Sequence, residues 1–419
     1  LHCNNTFNSR RKMQSENYST TIIGGTYTEN CNIPCINQQL FGSGLRALAL
    51  FHELDPNRKV CFKTCCSSQK EKLVRAFHSR ANTRIDVTEN VDVQFFYEHP
   101  FRVSEIYPRT DTLAENKKTI EAEGENILLY GMMESNVKVH GNIVIYDPQT
   151  ANEQYLFSRT GSNANKLIYV LNSHEAKMLS GKETIVEQRD FFFDKEKCHA
   201  LIIKNGANGA NLFRGKSDEG TVIPVYKTDR VWSIGTGDIF TAYFALMVFD
   251  GADLHKAALN ASMAVACYSQ NGNIEGMSEM MKAFNFSPVI PQKQGQIYLA
   301  GPFFSVAQLW LVGEFYKALK SEGIKVFSPL HDVGIGNAEE VTDKDVEGLN
   351  RSDVVLAIVD GLDSGTLFEC GYAVAKGKKV VAFVQNESEK ALQMLKGTGC
   401  DIEEDFTTAV YKSIWYAIQ

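Results

Sequence analysis

At 419 residues the chain is too long for a single hydrophobic core, and two α/β domains are the natural expectation. Its formal net charge of -7 lacks the basic footprint of a protein that binds long nucleic acids or anionic membranes. No run of about 18 apolar residues is present, so we expect no membrane span, and we expect a cytoplasmic protein with small-molecule partners.

The predicted elements begin after a polar segment at residues 1–20, which we expect to be disordered. It is not expected to be a signal peptide, because no apolar stretch follows its basic residues. Apolar patterns then predict strands at 21–23, 142–146 and 201–204 and helices at 44–54 and 238–249. Such alternation of strands and helices favours parallel sheets covered by helices.

The clearest break in this alternation lies at residues 285–296, where two prolines stand among polar residues. We therefore predict a first domain at 21–285, a linker at 286–295 and a second domain at 296–419. Strands of the second domain are predicted at 296–300, 325–328, 354–359 and 380–384, and Ser305 is expected to cap a helix. This order predicts a compact, doubly wound, Rossmann-like domain.

The 10 cysteines include two tight groups, Cys31 with Cys35 and Cys61 with Cys65 and Cys66. Their spacing departs from the usual zinc-ligand pattern, and no histidine follows at ligand spacing. Reduced, mostly buried thiols are therefore favoured over a metal site.

The most informative segment of the second domain is residues 360–373, which follows a buried strand and opens a helix. It is thus expected at the carboxyl edge of the sheet, where open α/β folds bind ligands. Near the helix start, free amides and the helix dipole favour an ionised carboxylate at Glu369, able to attack an anomeric carbon. Asp363 and Asp345 are candidates for sharing the proton chemistry.

At these positions the chain resembles the nucleoside 2-deoxyribosyltransferase-like family, which includes deoxyribosyl transferases and nucleotide N-hydrolases. Residues 297–302 match its opening Ile-Tyr-(Leu/Phe)-Ala-Gly-Pro strand, and residues 363–373 match its Asp-x-Gly-x-x-x-Glu-x-Gly-Tyr-Ala motif. The resemblance implies that Glu369 is the nucleophile, that Tyr298 orients it, and that Asp345 and Asp363 bind the base or move its proton. It also implies a homo-oligomer.

The same resemblance suggests which backbone groups meet the substrate. Gly301 and Pro302 end the opening strand beside the expected site, and the Ser364-Gly365-Thr366 turn at a helix N-terminus suits a 5′-hydroxyl or a phosphate. A nucleotide is for this reason favoured over a free nucleoside.

Each acidic or tyrosyl candidate also has a plainer structural explanation. Taken singly, Glu369 is a helix-dipole partner, Asp363 a turn residue, Asp345 a solvated surface residue and Tyr298 a core strand residue. Their joint order and spacing favour a site.

The first domain carries a Gly-x-Gly-Asp turn, Gly235-Thr236-Gly237-Asp238, which opens a long apolar helix. Two glycines let the backbone close around an anion, and Asp238 is placed to take a proton from an attacking hydroxyl. In isolation this pattern is weak and fits an ordinary tight turn.

This segment resembles the PfkB family of sugar and nucleoside kinases, related to ribokinase, and implies a ribokinase-like fold. Further matches are Asn172 with Glu175, Gly206 with Gly209, and the Asp147-Pro148 pair after a predicted strand. The resemblance implies ATP and magnesium as ligands, with Asp238 as base, residues 235–237 as anion hole, and Asn172 and Glu175 positioning the magnesium-bound phosphate.

Three departures from the family pattern fall on the acceptor side. Trp232 stands where the family usually has Asp, Arg46 stands near an expected Asn, and the first strand lacks the sugar-binding Asp, for which Glu29 is a candidate replacement. An active kinase, a ligand-binding pseudokinase and a purely structural domain therefore remain open.

Three functions remain open for the whole chain. The first is an enzyme acting on the N-glycosidic bond of a nucleoside or nucleotide, coupled to a kinase. The second is a ligand-gated effector that destroys a pool such as NAD. The third is a non-catalytic binding module. Glycosidic cleavage by a carboxylate needs no cofactor, and the sequence leaves the base, the sugar and the choice of hydrolysis or transfer undetermined.

Overall fold

The computed structural model describes residues 18–34, 36–115, 117–150, 155–334 and 336–419, without the side chains of 338–340. The expected disordered terminus falls mostly on residues 1–17, and these, like Cys35, lie outside the described residues. Within the described ranges, no helix combines the length and apolarity needed to cross a bilayer.

The N-terminal region contains a large sheet, a small sheet and helices on both faces of the large one. Its strands are, in chain order, β1 (Thr20–Ile23), β2 (Tyr27–Cys31), β3 (Asn37–Phe41), β4 (Val60–Cys66), β5 (Thr83–Glu89), β6 (Gln94–Tyr97), β7 (Glu105–Tyr107), β8 (Lys118–Tyr130), β9 (Ser135–Asp147), β10 (Asn163–Asn172), β11 (Ala200–Lys204), β12 (Ala210–Phe213), β13 (Thr221–Ile223) and β14 (Val225–Tyr226). Its helices are α1 (Gly42–Leu54), α2 (Ser68–His78), α3 (Thr110–Glu115), α4 (Ser173–Ser180), α5 (Ile185–Asp194), α6 (Thr236–Phe249), α7 (Leu254–Asn271) and α8 (Met277–Ala283).

The large sheet has the strand order β13-β12-β11-β10-β9-β8-β1-β4-β5. Pairing is parallel from β11 to β5, and β12 and β13 join antiparallel at one edge. Successive residues of β1 face opposite layers, because Ile22 packs in the core with Leu45 of α1 while Ile23 packs in the core with Ala176 of α4. A strand covered on both faces has no solvent side, and β1 is buried along its whole length.

The C-terminal region contains one parallel sheet between two helical layers. Its strands are β15 (Pro288–Val289), β16 (Gln296–Ala300), β17 (Lys325–Phe327), β18 (Val354–Ile358), β19 (Lys379–Phe383) and β20 (Asp401–Glu403). Its helices are α9 (Val306–Ser321), α10 (Ala338–Arg351), α11 (Ser364–Ala375), α12 (Gln393–Gly397) and α13 (Phe406–Ile418).

The C-terminal sheet has the order β17-β16-β18-β19-β20 and is parallel throughout. Ile297 packs with α9 and α13 on one face, whereas Tyr298 packs toward α11 on the other. Ser305 caps α9 in a reciprocal capping box with Gln308, as the sequence predicts. The predicted pair of α/β units with separate sheets is therefore confirmed.

Several contacts join the two regions directly. Strand β15, inside the predicted linker, pairs antiparallel with β14 of the N-terminal region. The Glu322 carboxylate accepts a hydrogen bond from the Ala207 amide at 2.8 Å, and the Thr408 hydroxyl oxygen on α13 accepts one from the Val231 amide at 3.0 Å. The segment at 286–295 is thus part of the interface rather than a free tether.

A small sheet of order β3-β2-β6-β7 stands beside the large one and also reaches the C-terminal region. The connection between β6 and β7 carries His99 and Arg102, whose side chains contact the buried Glu314 of α9 at 3.2 and 2.9 Å. Phe101 of the same connection packs against Phe406 and Tyr411 of α13.

The predicted burial of the cysteines is confirmed where the structure describes them. Cys31 is buried in β2, and Cys61, Cys65 and Cys66 are buried in β4 as free thiols. Burial raises the pKa of the Cys61 and Cys65 thiols to about 11 and that of Cys66 to about 12, so all three stay protonated at neutral pH.

Candidate functional site

The C-terminal site lies where β16 and β18 end side by side. These strands pair in parallel, with Tyr298 opposite Val355, so their carboxyl ends meet at one edge of the sheet. Helix α11 follows β18 and begins at Ser364, which places Glu369 in its second turn. Gly301 follows β16, and a Cβ there would lie 3.2 Å from Ile358, a tight contact that favours glycine.

Tyr298 and Glu369 are in direct contact. The Tyr298 hydroxyl donates a short hydrogen bond to the Glu369 carboxylate. Tyr298 is fully buried and stacks on Phe327, and burial together with the Glu369 charge raises its pKa, so the phenol remains a proton donor.

The pKa of Glu369 lies close to neutral pH. Its pKa is raised to about 7, mainly by burial and also by the Asp345 and Asp363 charges, while the Tyr298 hydrogen bond opposes the rise. The expectation of a carboxylate kept ionised by the helix terminus is corrected here. Glu369 lies one turn beyond the free amides of α11, and burial outweighs the dipole.

The two aspartates differ in how they are held. One oxygen of Asp363 caps α11, accepting from the Thr366 amide at 2.8 Å and its hydroxyl at 3.0 Å. Asp345 on α10 is half-buried, burial raises its pKa, and its Oδ1 has no partner among the described residues. Asp345 is therefore the freer proton carrier of the two.

The predicted substrate-binding residues surround this group of side chains. Pro302 is buried after β16, while Ser364 and Gly365 are exposed at the start of α11. Thr366 is buried, and its amide and hydroxyl both belong to the Asp363 cap. Sequence reasoning missed Phe304 and Phe368, two large exposed apolar side chains close in sequence to Pro302 and Glu369.

In the N-terminal region, Gly235 caps α6 with φ of +82°, a conformation that favours glycine. A Cβ at this position would also lie 2.4 Å from the Arg46 guanidinium. Helix α6 begins at Thr236, so Asp238 lies in its first turn, as the sequence predicts.

Arg46 is the unexpected member of this site. Its guanidinium donates to Asp238 Oδ2 at 2.5 Å and forms a second, short ion pair with Glu29 of β2. Gln149 donates to the remaining Asp238 oxygen at 3.1 Å. Arg46 is 1% exposed, and burial raises the pKa of Asp238 to about 6 although the Arg46 charge lowers it. Both oxygens of the expected base are thus engaged.

Asn172 and Glu175 first serve the local fold. They form a reciprocal capping box at the start of α4, with hydrogen bonds of 2.8 and 2.9 Å. Burial and the charge of Asp147 raise the pKa of Glu175 to about 7. Asp147 itself accepts from Lys204 and from Thr241, both at 2.8 Å.

A cavity of about 350 Å³ collects most of the predicted nucleotide-site residues. Those lining it are Asn172, Glu175, Gly206, Gly209, Thr236 and Gly237, whereas Gly235 does not line it. Lys204 and Gln149 also line it, as do Tyr411 and Trp415 of α13. Apolar walls and glycine amides suit a nucleotide, so the residues present fit ATP.

Two protein-family models match the chain, and both describe enzymes. The model of nucleoside 2-deoxyribosyltransferase matches residues 297–406. The model of the pfkB family of carbohydrate kinases matches residues 133–278. Both resemblances drawn from the sequence are therefore confirmed. No curated protein matches the chain.

Solved kinase structures are similar to the N-terminal region at low identity. Ribokinase from Thermotoga maritima is 17% identical, with 63% of this chain and 98% of that chain covered and a TM-score of 0.46. Ribokinase from Giardia lamblia is 13% identical over 63% and 98%, with a TM-score of 0.48. A Burkholderia thailandensis nucleoside kinase, solved with inosine, is 16% identical over 64% and 98%, with a TM-score of 0.45.

Proposed function

We propose that the C-terminal domain, residues 296–419, cleaves or transfers at the N-glycosidic bond of a nucleoside or nucleotide with Glu369 as nucleophile. The observation that carries this proposal is the hydrogen bond from buried Tyr298 to Glu369 at the carboxyl edge of a parallel sheet. Asp345 and Asp363 lie close enough to shift the pKa of Glu369. The match to the nucleoside 2-deoxyribosyltransferase model over residues 297–406 supports the same chemistry.

The proposed reaction has two displacements at the anomeric carbon. In the first, a Glu369 oxygen bonds to that carbon while the carbon–nitrogen bond breaks, and the electron pair stays with the base nitrogen. The leaving base takes a proton from Asp345. In the second, water or another base attacks the same carbon, returns a proton to Asp345, and releases Glu369 as a carboxylate.

The proton assignments follow from the surroundings of each side chain. Tyr298 stays protonated, so it donates to Glu369 and fixes its orientation without becoming a base. Burial raises the pKa of Asp345, which favours the protonated form needed by a departing base. Ser364 and Gly365, exposed at the start of α11, are proposed to bind the 5′ substituent.

The test is incubation of the full chain with a panel of nucleosides, nucleotides and NAD, with liberated bases separated by chromatography. We expect base release from at least one nucleotide without added cofactor, and loss of release in Glu369→Gln. Glu404→Gln is the matched control, because Glu404 is exposed and lies outside the site. Equal release by the Glu369→Gln protein would rule out this nucleophile.

For the N-terminal domain, residues 21–285, we propose ligand binding without phosphoryl transfer. A base for transfer must accept a proton from the acceptor hydroxyl, yet both oxygens of Asp238 already accept hydrogen bonds. Arg46 and Glu29 fill the acceptor side with a buried ion pair. The residues that line the cavity suit ATP, and Asn172 and Glu175 on its wall would position the magnesium-bound phosphate.

Together these assignments describe a nucleotide-responsive effector that acts on a nucleotide or NAD. Its test is ATP turnover with magnesium and a panel of sugars and nucleosides. We expect nucleotide-dependent base release and no acceptor-dependent ADP formation. ADP formation with any acceptor would instead support a kinase coupled to the glycosidic reaction. A homo-oligomer in the cytoplasm is part of this proposal, and light scattering measures the oligomeric state.

A further inference from the structure

The cavity of about 350 Å³ is built from both regions of the chain. The N-terminal region supplies its floor through α6, α7 and the loop after β11. The C-terminal helix α13 supplies Tyr411 and Trp415. Val231, which also lines the cavity, donates a hydrogen bond from its amide to the Thr408 hydroxyl oxygen of α13. This bond links the parts of the wall that come from the two regions.

One side of the cavity is apolar and partly aromatic. Its apolar lining residues are Val225, Val231, Phe240, Val265, Tyr411 and Trp415. Burial raises the pKa of the Tyr411 phenol, so this aromatic wall carries no charge at neutral pH. Flat, uncharged aromatic surface is suited to a planar heterocycle.

The other side of the cavity offers groups for an anion. Gly206, Gly209 and Gly237 line it with backbone that carries no side chain, and Thr236 begins the 14-residue helix α6. Lys204 lies at the same end, where it is paired with Asp147. Amides at a helix start together with a lysine are suited to a phosphate.

Two polar atoms of lining residues lack partners. Thr228 Oγ1 and Trp415 Nε1 are both buried, and neither forms a hydrogen bond within the part of the chain that the structure describes. Buried donors without acceptors are uncommon and destabilising, because the group loses water and gains nothing in return. One of these residues comes from each region of the chain.

We propose that this cavity is a nucleotide site shared between the two domains, in which Trp415 and Tyr411 of α13 and Thr228 recognise the heterocycle and α6 receives the phosphate. The inference rests on the proposed nucleotide binding by the N-terminal domain, and adds that the C-terminal domain forms the wall facing the heterocycle. It does not depend on the chemistry of Glu369. A bound nucleotide therefore strengthens the contact between the domains.

The test is a calorimetric titration of the full chain with ATP in the presence of magnesium, which measures the affinity for ATP. Trp415→Phe keeps an aromatic ring but removes the indole N–H, and Thr228→Val removes the hydroxyl at nearly constant shape. We expect each to weaken ATP binding by about tenfold or less and Trp415→Leu to weaken it more, since stacking is then lost. Trp310→Phe, a half-exposed tryptophan outside the cavity, is the matched control and should bind as the unaltered protein does.

A second measurement separates a binding role from a structural one. Because Trp415→Phe and Thr228→Val remove buried atoms without partners, we expect the ligand-free variants to unfold at the same temperature or higher, while binding weakens. Adenosine and inorganic phosphate, titrated separately, report on the two ends of the cavity.

The outcomes distinguish the inference from the proposal on which it rests. Unchanged ATP affinity in Trp415→Phe and Trp415→Leu would overturn the shared site while leaving nucleotide binding by the N-terminal domain intact. Absence of ATP binding by the unaltered chain would overturn both. Weakened binding in Trp415→Phe together with a lower unfolding temperature would assign Trp415 a structural role and also overturn the inference.

Discussion

Two buried or partly buried acidic side chains, Glu369 in the second turn of α11 and Asp238 in the first turn of α6, have different partners. Glu369 accepts a hydrogen bond from the neutral phenol of Tyr298, and no salt bridge joins it to a basic side chain among the described residues. Asp238 is paired with the buried guanidinium of Arg46. Burial raises the pKa of both, to about 7 and about 6.

The side chain that contacts each carboxylate, Tyr298 or Arg46, determines what that carboxylate can do. A phenol orients Glu369 and leaves its lone pairs and charge available for a carbon electrophile. An arginine pairs with Asp238, and together with Gln149 it engages both carboxylate oxygens. Two motifs with the same general form thus support a catalytic proposal in one region and a binding proposal in the other.

The largest expected effect is on the rate of base release when Glu369 is replaced. Glu369→Gln keeps size and polarity but removes the nucleophile, so base release should fall by about 10³-fold or more. Initial rates of base release measure this loss. A fall that Glu404→Gln shares would mean that the loss does not originate at Glu369.

The next largest effect is on the free energy of unfolding when Arg46, the partner of Asp238, is replaced. Arg46→Ala leaves Glu29 and Asp238 buried without their cation, and the free energy of unfolding should fall by about 3–5 kcal/mol. Denaturant unfolding measures it. The control is Lys282→Ala, whose ion pair with Glu279 is exposed and should contribute about 1 kcal/mol or less. Equal losses in the two variants would contradict a structural ion pair at Arg46.

A smaller effect sharpens the role of the phenol. Tyr298→Phe removes one hydrogen bond to a charged group, and base release should fall by roughly 10- to 100-fold. Because that bond lowers the pKa of Glu369, its loss should also move the acid limb of the pH–rate profile to higher pH. A reduced rate with an unmoved acid limb would leave Tyr298 with a packing role alone.

The smallest effect concerns stability and pH. The pKa of Glu369 in the folded chain, about 7, lies above its ordinary value of 4.5, so the folded state binds this proton more tightly than the unfolded state. The stability this proton contributes is fully present below pH 4.5 and is lost as the pH rises through about 7. The melting temperature of Glu369→Gln relative to the unaltered chain should therefore be higher at pH 8 than at pH 5. A pH-independent difference would contradict the raised pKa.

The sequence predicts elements well where burial is continuous. The strand predicted at 296–300 matches β16, and the strand predicted at 201–204 lies within β11. Both are recognisable because a strand covered on both faces is apolar throughout. Strand β8 was missed. Its first half alternates buried Ile120 and Ala122 with charged residues, a period of two that marks a half-exposed strand.

Site prediction from sequence reached the residues within motifs and stopped at contacts between distant segments. Tyr298 and Glu369 were paired by the order of the family's motifs. The contact of Arg46 with Asp238 joins positions 192 residues apart, and only the packing of α1 on α6 brings them together. The same holds for Trp415, whose place in the cavity depends on how α13 meets the N-terminal region.

The buried carboxylate of Glu314 has a mechanical consequence. It is held by His99 and Arg102 from the connection between β6 and β7, while β2, which pairs with β6, carries the Glu29 that binds Arg46. The small sheet therefore contacts Arg46 through Glu29 of β2, and it contacts α9 through the connection between β6 and β7. An outward movement of the small sheet would either break the contacts of Glu314 with His99 and Arg102 or displace α9. A movement in the N-terminal region would therefore be transmitted to the C-terminal region.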